Sequence, residues 1–200
     1  MVETPAERRY ARNKETILAA AREIFREEGL DKFSMRSLAD KADYSASAIY
    51  KYFNNKQEIL EALRAEGWQL LGQFAAKRNA TMSDSIEAVI QSGLAWFDFV
   101  RVYPDYFKLM VSESSDERGG FEAMMSHPGF LGLAANIQKL IDNQLIRLIP
   151  GTTVQMLAFN FFASIEGYCS LQTNLFKVDS PEFEAFLEQS LRQYMAYLTS

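Results

Sequence analysis

The chain is poor in the residues that most often carry covalent chemistry: its 200 residues include one cysteine, Cys169, and one histidine, His127. A single cysteine excludes an internal disulfide framework and suits a reducing compartment, so a cytoplasmic location is expected. The usual nucleophile–base sets cannot be assembled from one His and one Cys, and no GxSxG, HExxH, P-loop or dinucleotide fingerprint is present. His127, in a break beside Pro128, reads as a loop residue rather than a metal ligand. No enzyme activity, metal or cofactor is expected. No apolar run approaches the roughly 20 residues that cross a bilayer, and the charged N-terminus lacks the apolar core of a secretory leader. Strand-like alternation, internal repeats and low-complexity tracts are also missing. The expectation is an all-α protein.

What the chain does have is apolar bulk. Nearly half of it is hydrophobic, with 15 Phe, enough for a substantial core in one large or two small domains. The formal net charge is −5, but residues 1–60 hold eleven Lys/Arg against ten Asp/Glu, so the acidic excess lies entirely beyond them. Phosphate binding depends on the local patch and not on the chain total. Arg8, Arg9, Arg12 and Lys14 open the chain, and Arg36, Lys51 and Lys56 lie near the motif described next.

Residues 34–56, SMRSLADKADYSASAIYKYFNNK, read as two short helices joined by a tight turn. Ser34 caps the first, which carries Leu38, Ala39 and Ala42 and stops near Asp43. Ser45 caps the second, a helix of two turns whose Ile49 and Phe53 point into a core while Ser47, Tyr50, Lys51 and Tyr52 face away. Asn54 suits a left-handed or turn conformation, and Asn55 forms a capping box with Glu58 for the next helix. A short helix with polar and aromatic groups on one face, held by a partner helix, fits the DNA major groove. The pattern is a helix-turn-helix.

Around it, Thr4-Pro5-Ala6-Glu7 caps a first helix whose Ile17, Ala20, Ala21, Ile24 and Phe25 form one apolar stripe ending near Gly29; Leu30 and Phe33 complete that small core. A helix of about two dozen residues follows from Lys56 to near Arg78, spanning about 35 Å at ~1.5 Å per residue. Gly67 and Gly72 in it permit close approach of a neighbour. Further helices are expected from Thr81 or Ser83 to Val102, over 105–110, 130–148 and 152–176, and from the Ser180-Pro181-Glu182 cap to Leu198. Residues 112–120 read as a mobile loop.

Ile17-Leu18, Ala20-Ala21, Phe25, Gly29-Leu30, Ser34, Leu38-Ala39, Ala42, Ser45, Ile49-Tyr50, Tyr52-Phe53, Lys56 and Leu60 together resemble the N-terminal domain of the tetracycline-repressor (TetR) family. The resemblance implies a DNA-binding domain over residues 1–56 and an effector-binding and dimerisation domain over 57–200. It implies a ligand-responsive regulator, a repressor with an activator as the runner-up, that binds a palindromic double-stranded operator as a homodimer through its last two long helices. The alternatives are a helical protein-interaction module and a regulator without a small-molecule effector. Carried over by position, the resemblance makes Arg36 a reader of a guanine edge, with an ion pair to Asp40 as its other possible role. Tyr50, Tyr52 and Lys56 become phosphate holders, and Ser45 and Lys51 contacts to the DNA backbone; Ser34, Ala46 and Ser47 complete the DNA-facing set. Asp43-Tyr44-Ser45 departs from the family's usual Gly-Val-Ser, and the short Ala46 and Ser47 make direct base reading sparse. For the effector, the Met- and aromatic-rich body offers Trp96, Phe99, Tyr103, Phe107, Met110, Met124, Phe130, Phe159 and Phe162 as pocket lining. Glu166 either meets a ligand's polar end or lies at an exposed helix edge. Such a lining favours a small, largely apolar effector.

Overall fold

The structure, a computed structural model, describes residues 4–29, 32–79, 85–111, 120–176 and 180–199. Helices α1 (Pro5–Glu28), α2 (Met35–Ala42), α3 (Ala46–Ile49), α4 (Lys56–Arg78), α5 (Ile86–Val102), α6 (Pro104–Val111), α7 (Gly120–Ser126), α8 (Pro128–Asp142), α9 (Val154–Ser170) and α10 (Pro181–Tyr197) follow in order, with a π-helical turn at Leu171–Phe176 extending α9. No strand occurs among the described residues. The all-α expectation holds.

The helix starts are set by caps. Thr4 accepts the Glu7 N–H at 3.3 Å while the Glu7 carboxylate accepts the Thr4 N–H at 2.7 Å, and Pro5 occupies the first turn, where its missing donor costs nothing. Gly29, at φ 77°, ends α1. Ser34 and Ser37 cap α2 reciprocally, and Asp43 closes it in the left-handed region at φ 57°. Asn55 Oδ1 caps α4 by accepting the Glu58 N–H at 2.9 Å. The Glu58 carboxylate, however, takes the Asn54 N–H at 2.8 Å instead of that of Asn55, and Asn54 is not in the left-handed region. The reciprocal bond lands one residue early because Asn54 also supplies its side-chain amide, at 3.0 Å.

The chain divides into two compact units. The first contains the described residues up to Gly67 together with 105–111. Ile17, Ile24 and Phe25 of α1, Leu38 of α2, Ile49 of α3 and Ile59 and Leu63 of α4 are its buried centre. Its reach past residue 56 follows from Ile59 and Leu63, whose full burial makes the first turns of α4 part of this core. Most of α6 belongs here too. Arg64 Nε donates to the Leu109 carbonyl at 3.1 Å, and the Tyr106 hydroxyl to Glu66 at 3.0 Å. Gly67 allows the fit: a Cβ there would stand 2.7 Å from Met110 Sδ. Gly72, by contrast, faces open space.

The second unit holds 68–104 and the described residues from 120 onward. Helix α5 is its axis, with Val89, Leu94, Phe97 and Phe99 buried against Ile137 and Leu140 of α8, Phe161 and Ile165 of α9, and Leu187 and Leu191 of α10. Helices α9 and α10 run antiparallel, since Tyr168 meets Phe183 at 6.1 Å and Phe161 meets Tyr194 at 6.2 Å. Arg78 at the end of α4 reaches Asp98 of α5 at 2.6 Å and Glu184 of α10 at 3.4 Å. Helix α8 starts two residues earlier than expected because His127 is its cap, and it stops at Asp142, before Gln144 turns left-handed at φ 58°. Ser85 caps α5; the earlier starts at Thr81 and Ser83, like Leu30 and the 112–119 stretch, lie outside the described residues.

Two glycines test this packing. A Cβ on Gly93 would fall 2.3 Å from Ile165 Cδ1 and 3.1 Å from Leu191 Cδ1. Gly93→Ala should therefore overpack the α5–α9–α10 crossing and cost roughly 1–3 kcal/mol in denaturant unfolding. Gly72→Ala, meeting nothing, should raise stability by about 0.5–1 kcal/mol through helix propensity alone.

Candidate nucleic-acid interface

Helix α3 is one turn long rather than two. Beyond Ile49 the chain tightens, with Lys51 N–H bonded to the Ala48 carbonyl at 3.2 Å and Tyr52 N–H to that of Ile49 at 2.9 Å. Three-residue spacing of this kind stacks side chains at i and i+3, so Ser47 and Tyr50 share one edge. Ser45 Oγ accepts the Ala48 N–H at 3.2 Å and lies 3.0 Å from Ser47 Oγ. Ile49 and Phe53 are fully buried beneath. Above them Ser45, Ala46, Ser47, Tyr50 and Lys51 are exposed, as are Ser34 and Arg36 at the start of α2. Arg36 makes no ion pair among the described residues, Asp40 included, so its guanidinium is available. An arginine so placed can donate two bonds to O6 and N7 of guanine, worth about 1–3 kcal/mol of base discrimination.

Tyr52 and Lys56 sit differently. The Tyr52 hydroxyl accepts the Asn13 amide at 2.8 Å, and its ring stands 5.0 Å from Tyr10 and 6.4 Å from Tyr44. Tyr10 in turn donates to the Lys51 carbonyl at 3.5 Å. Lys56 Nζ donates to the Phe33 carbonyl at 2.6 Å, tying the start of α4 to the residue before the α2 cap. A lysine has two further N–H donors for a phosphate. The sequence reading missed Tyr10 and Asn13, though a signal was there: they precede Ile17 by seven and four residues, which puts them on its face of α1. Lys14, on the same face, lies 4.8 Å over Phe53 and 3.8 Å from Glu58.

Two other cations of this unit are committed to glutamates. Arg22 bonds Glu15 and Glu66, both at 2.7 Å, which holds its guanidinium well above the usual range. Lys41 lies 3.1 Å from Glu23 and 3.2 Å from Glu27, and its ammonium is likewise raised, Glu23 contributing most.

The residues proposed from sequence to line an effector pocket fall in both units. Phe107 and Met110 are buried and belong to the first unit. Trp96 is the hub of the second, 5.5 Å from Trp68, 6.3 Å from Phe99 and 5.9 Å from Phe162. Phe99 continues to Tyr103 at 5.7 Å. Phe130 is buried and Met124 half-buried, whereas Phe159 is 36% exposed and pairs with the exposed Phe121. Glu166 is half-buried and accepts the Ser170 hydroxyl at 3.0 Å, so it is neither an orphan in the core nor at a free edge. Beside it, Cys169 is fully buried, and burial, with the Glu166 charge second, pushes its thiol up to about 12. An open surface groove elsewhere in this unit, lined by Ile86, Ile90, Leu145, Arg192 and Met195, includes none of the ten. Among the described residues no His, Cys, Asp and Glu cluster could hold a metal ion, and no helix is long and apolar enough to cross a membrane.

Residues 17–63 match the family model described as bacterial regulatory proteins, tetR family. An uncharacterized HTH-type transcriptional regulator of Haemophilus influenzae is 45% identical over 47 residues, 24% of this chain and 25% of that protein. The matches to curated relatives thus span about a quarter of those relatives' length. Solved structures share the whole fold at low identity. A protein of unknown function from Rhodococcus sp. RHA1 has a TM-score of 0.76 at 18% identity, covering 94% of this chain and 96% of that one. Thermus thermophilus FadR, a TetR-family repressor in complex with lauroyl-CoA, has a TM-score of 0.66 at 17% identity, covering 91% and 93%.

The α3 cap can be tested on its own. Ser45→Ala should lower the unfolding free energy by about 1 kcal/mol, read by urea denaturation, while Ser47→Ala, whose hydroxyl caps nothing, should leave it within about 0.5 kcal/mol.

Proposed function

We propose that this chain, which belongs to the tetR family of bacterial regulatory proteins, is a one-component transcriptional repressor that binds a palindromic DNA operator as a homodimer and releases it on meeting a largely apolar small molecule. The observation that carries the reading is the exposed guanidinium of Arg36, without an ion pair among the described residues, beside an α3 whose outer edge is polar and whose inner residues are buried. Arg36 reads a base; Tyr50, Lys51, Lys56 and the Ser34 and Ser45 turns hold phosphates; Tyr52 positions the ensemble through Asn13. With short Ala46 and Ser47 the remaining selectivity falls to thymine methyl contacts and DNA shape.

Dimerisation is assigned to α9 and α10. Met156, Phe159 and Leu175 on the α9 side and Phe186 and Tyr197 on α10 expose 36–70% of their surface, and exposed apolar groups of this kind on neighbouring helices suit a partner surface. Leu187 and Leu191 of α10 are buried within the protomer and serve its own core. The aromatic hub around Trp96 supports an apolar effector, and the lauroyl-CoA held by the Thermus thermophilus neighbour combines an apolar acyl chain with a highly charged coenzyme A. Helix α4, continuous across Gly67 and Trp68, is the covalent path by which ligand entry would alter the spacing of paired recognition helices, which must sit about 34–36 Å apart. Linkage requires that a ligand weakening DNA tenfold bind the DNA complex tenfold less well, about 1.4 kcal/mol.

On a random-sequence duplex, Lys51→Ala should weaken binding to all sites alike and reduce the salt slope by about one unit. Arg36→Ala should relax preference at one base position per half-site. Should both variants alter sequence preference alone, the division into holding and reading residues is wrong; a wild-type chain with no salt-dependent DNA binding points instead to a protein-interaction module. Light scattering tests the dimer: Phe186→Glu should give a folded monomer, whereas Leu187→Glu should unfold the chain, and a monomeric wild type overturns the assignment.

A further inference from the structure

His127 does more than occupy a break. It is the N-cap of α8, with its Nδ1 accepting the Gly129 N–H at 3.1 Å, its own N–H given to the Met124 carbonyl at 3.1 Å and its carbonyl taking the Leu131 N–H at 3.0 Å. Its ring lies on Trp68, centroids 3.8 Å apart and planes 35° apart, and Trp68 meets Trp96 edge-on. The acceptor role fixes the tautomer: Nδ1 must be bare and Nε2 carries the hydrogen.

We infer that His127 is an acid-sensitive cap, whose protonation releases the first turn of α8 and repacks the Trp68–Trp96 pair of the effector-side unit. Protonation at Nδ1 turns the acceptor into a donor that faces the Gly129 N–H, so the cap bond is lost and replaced by opposed donors. A positive charge at a helix N-terminus also opposes the helix dipole. The face of Trp68 works the other way, since an indole attracts an imidazolium. Burial decides between them and holds His127 below its ordinary value of 6.5. Among the described residues no charged neighbour compensates: Glu166 of α9 accepts the Ser170 hydroxyl. Helix α4 presents Trp68 here, α7 carries Glu122 with its carbonyl bonded to Ser126, α8 has no ionisable side chain before Lys139, and Asp98 of α5 is paired with Arg78.

Because the folded value lies below the unfolded one, the stability contributed by the cap is complete above pH 6.5 and is lost as the pH falls toward the folded value. The chain contains two tryptophans, Trp68 and Trp96, and one histidine, so both signals are unambiguous. Intrinsic emission of the full chain, titrated from pH 8 to pH 5, should show one step with its midpoint below 6.5. His127→Asn, which keeps a capping acceptor that does not titrate, should be flat over that range. The same step in the Asn variant, or no step in the wild type, overturns the inference. The proton resonance of the single imidazole in the wild type gives an independent reading: a midpoint at or above 6.5 overturns it as well. Neither measurement involves DNA, so its outcome is separate from that of the operator assays.

Discussion

A helix of one turn cannot stand alone in water, because nucleation fixes several backbone angles for a single hydrogen bond. Helix α3 is such a helix, and the first unit is arranged to hold it. Ser45 supplies its missing acceptor, Ile49 and Phe53 anchor it from below, and Asn13 and Tyr10 of α1 grip Tyr52 and the Lys51 carbonyl from the side. Lys56, bonded to the Phe33 carbonyl, fixes the distance from the start of α4 to the start of α2. The presented surface is thus small, and its precision is borrowed from the neighbours that hold it.

The same logic explains how the unit's charge is used. Eleven basic residues against ten acidic ones suggests an almost neutral segment. In the folded unit Arg22 and Lys41 take four glutamates between them, and Lys14 leans toward Glu58. Neutralisation occurs on the flanks of α1 and α4, and Arg36 and Lys51 are left exposed. In the second unit the acidic excess is partly spent on Arg78, Arg101 and Arg192, which bind Asp98, Glu184, Glu87 and Glu188.

How much of this was legible in the sequence follows from the range of the interactions. Caps are local, so Thr4, Ser34, Ser45 and Ser180 could be read directly, as could the buried stripe of α1. Even there competition among neighbours escaped notice: Glu58 chose Asn54 because two donors there outweigh one. Contacts across forty residues were out of reach. Nothing in the local pattern distinguishes Phe107 and Met110, which serve the first unit, from Trp96 and Phe99, which serve the second, since all are apolar residues at helical spacing. The face of α1 that carries Tyr10 and Asn13 could be read, but not their partner Tyr52, nor that of His127, Trp68, which lie 39 to 59 positions away.

The buried thiol of Cys169 has a practical side. Held in its protonated form at any pH near neutrality and shielded on all sides, it offers neither the thiolate nor the access that alkylating reagents and peroxides require. A cysteine introduced on the exposed edge of α3, at Ser47 for instance, would be the one reactive sulfur in the native chain. Spin or fluorescent labels can then be attached at that edge without first removing the natural residue, and the motion of a one-turn helix becomes directly measurable.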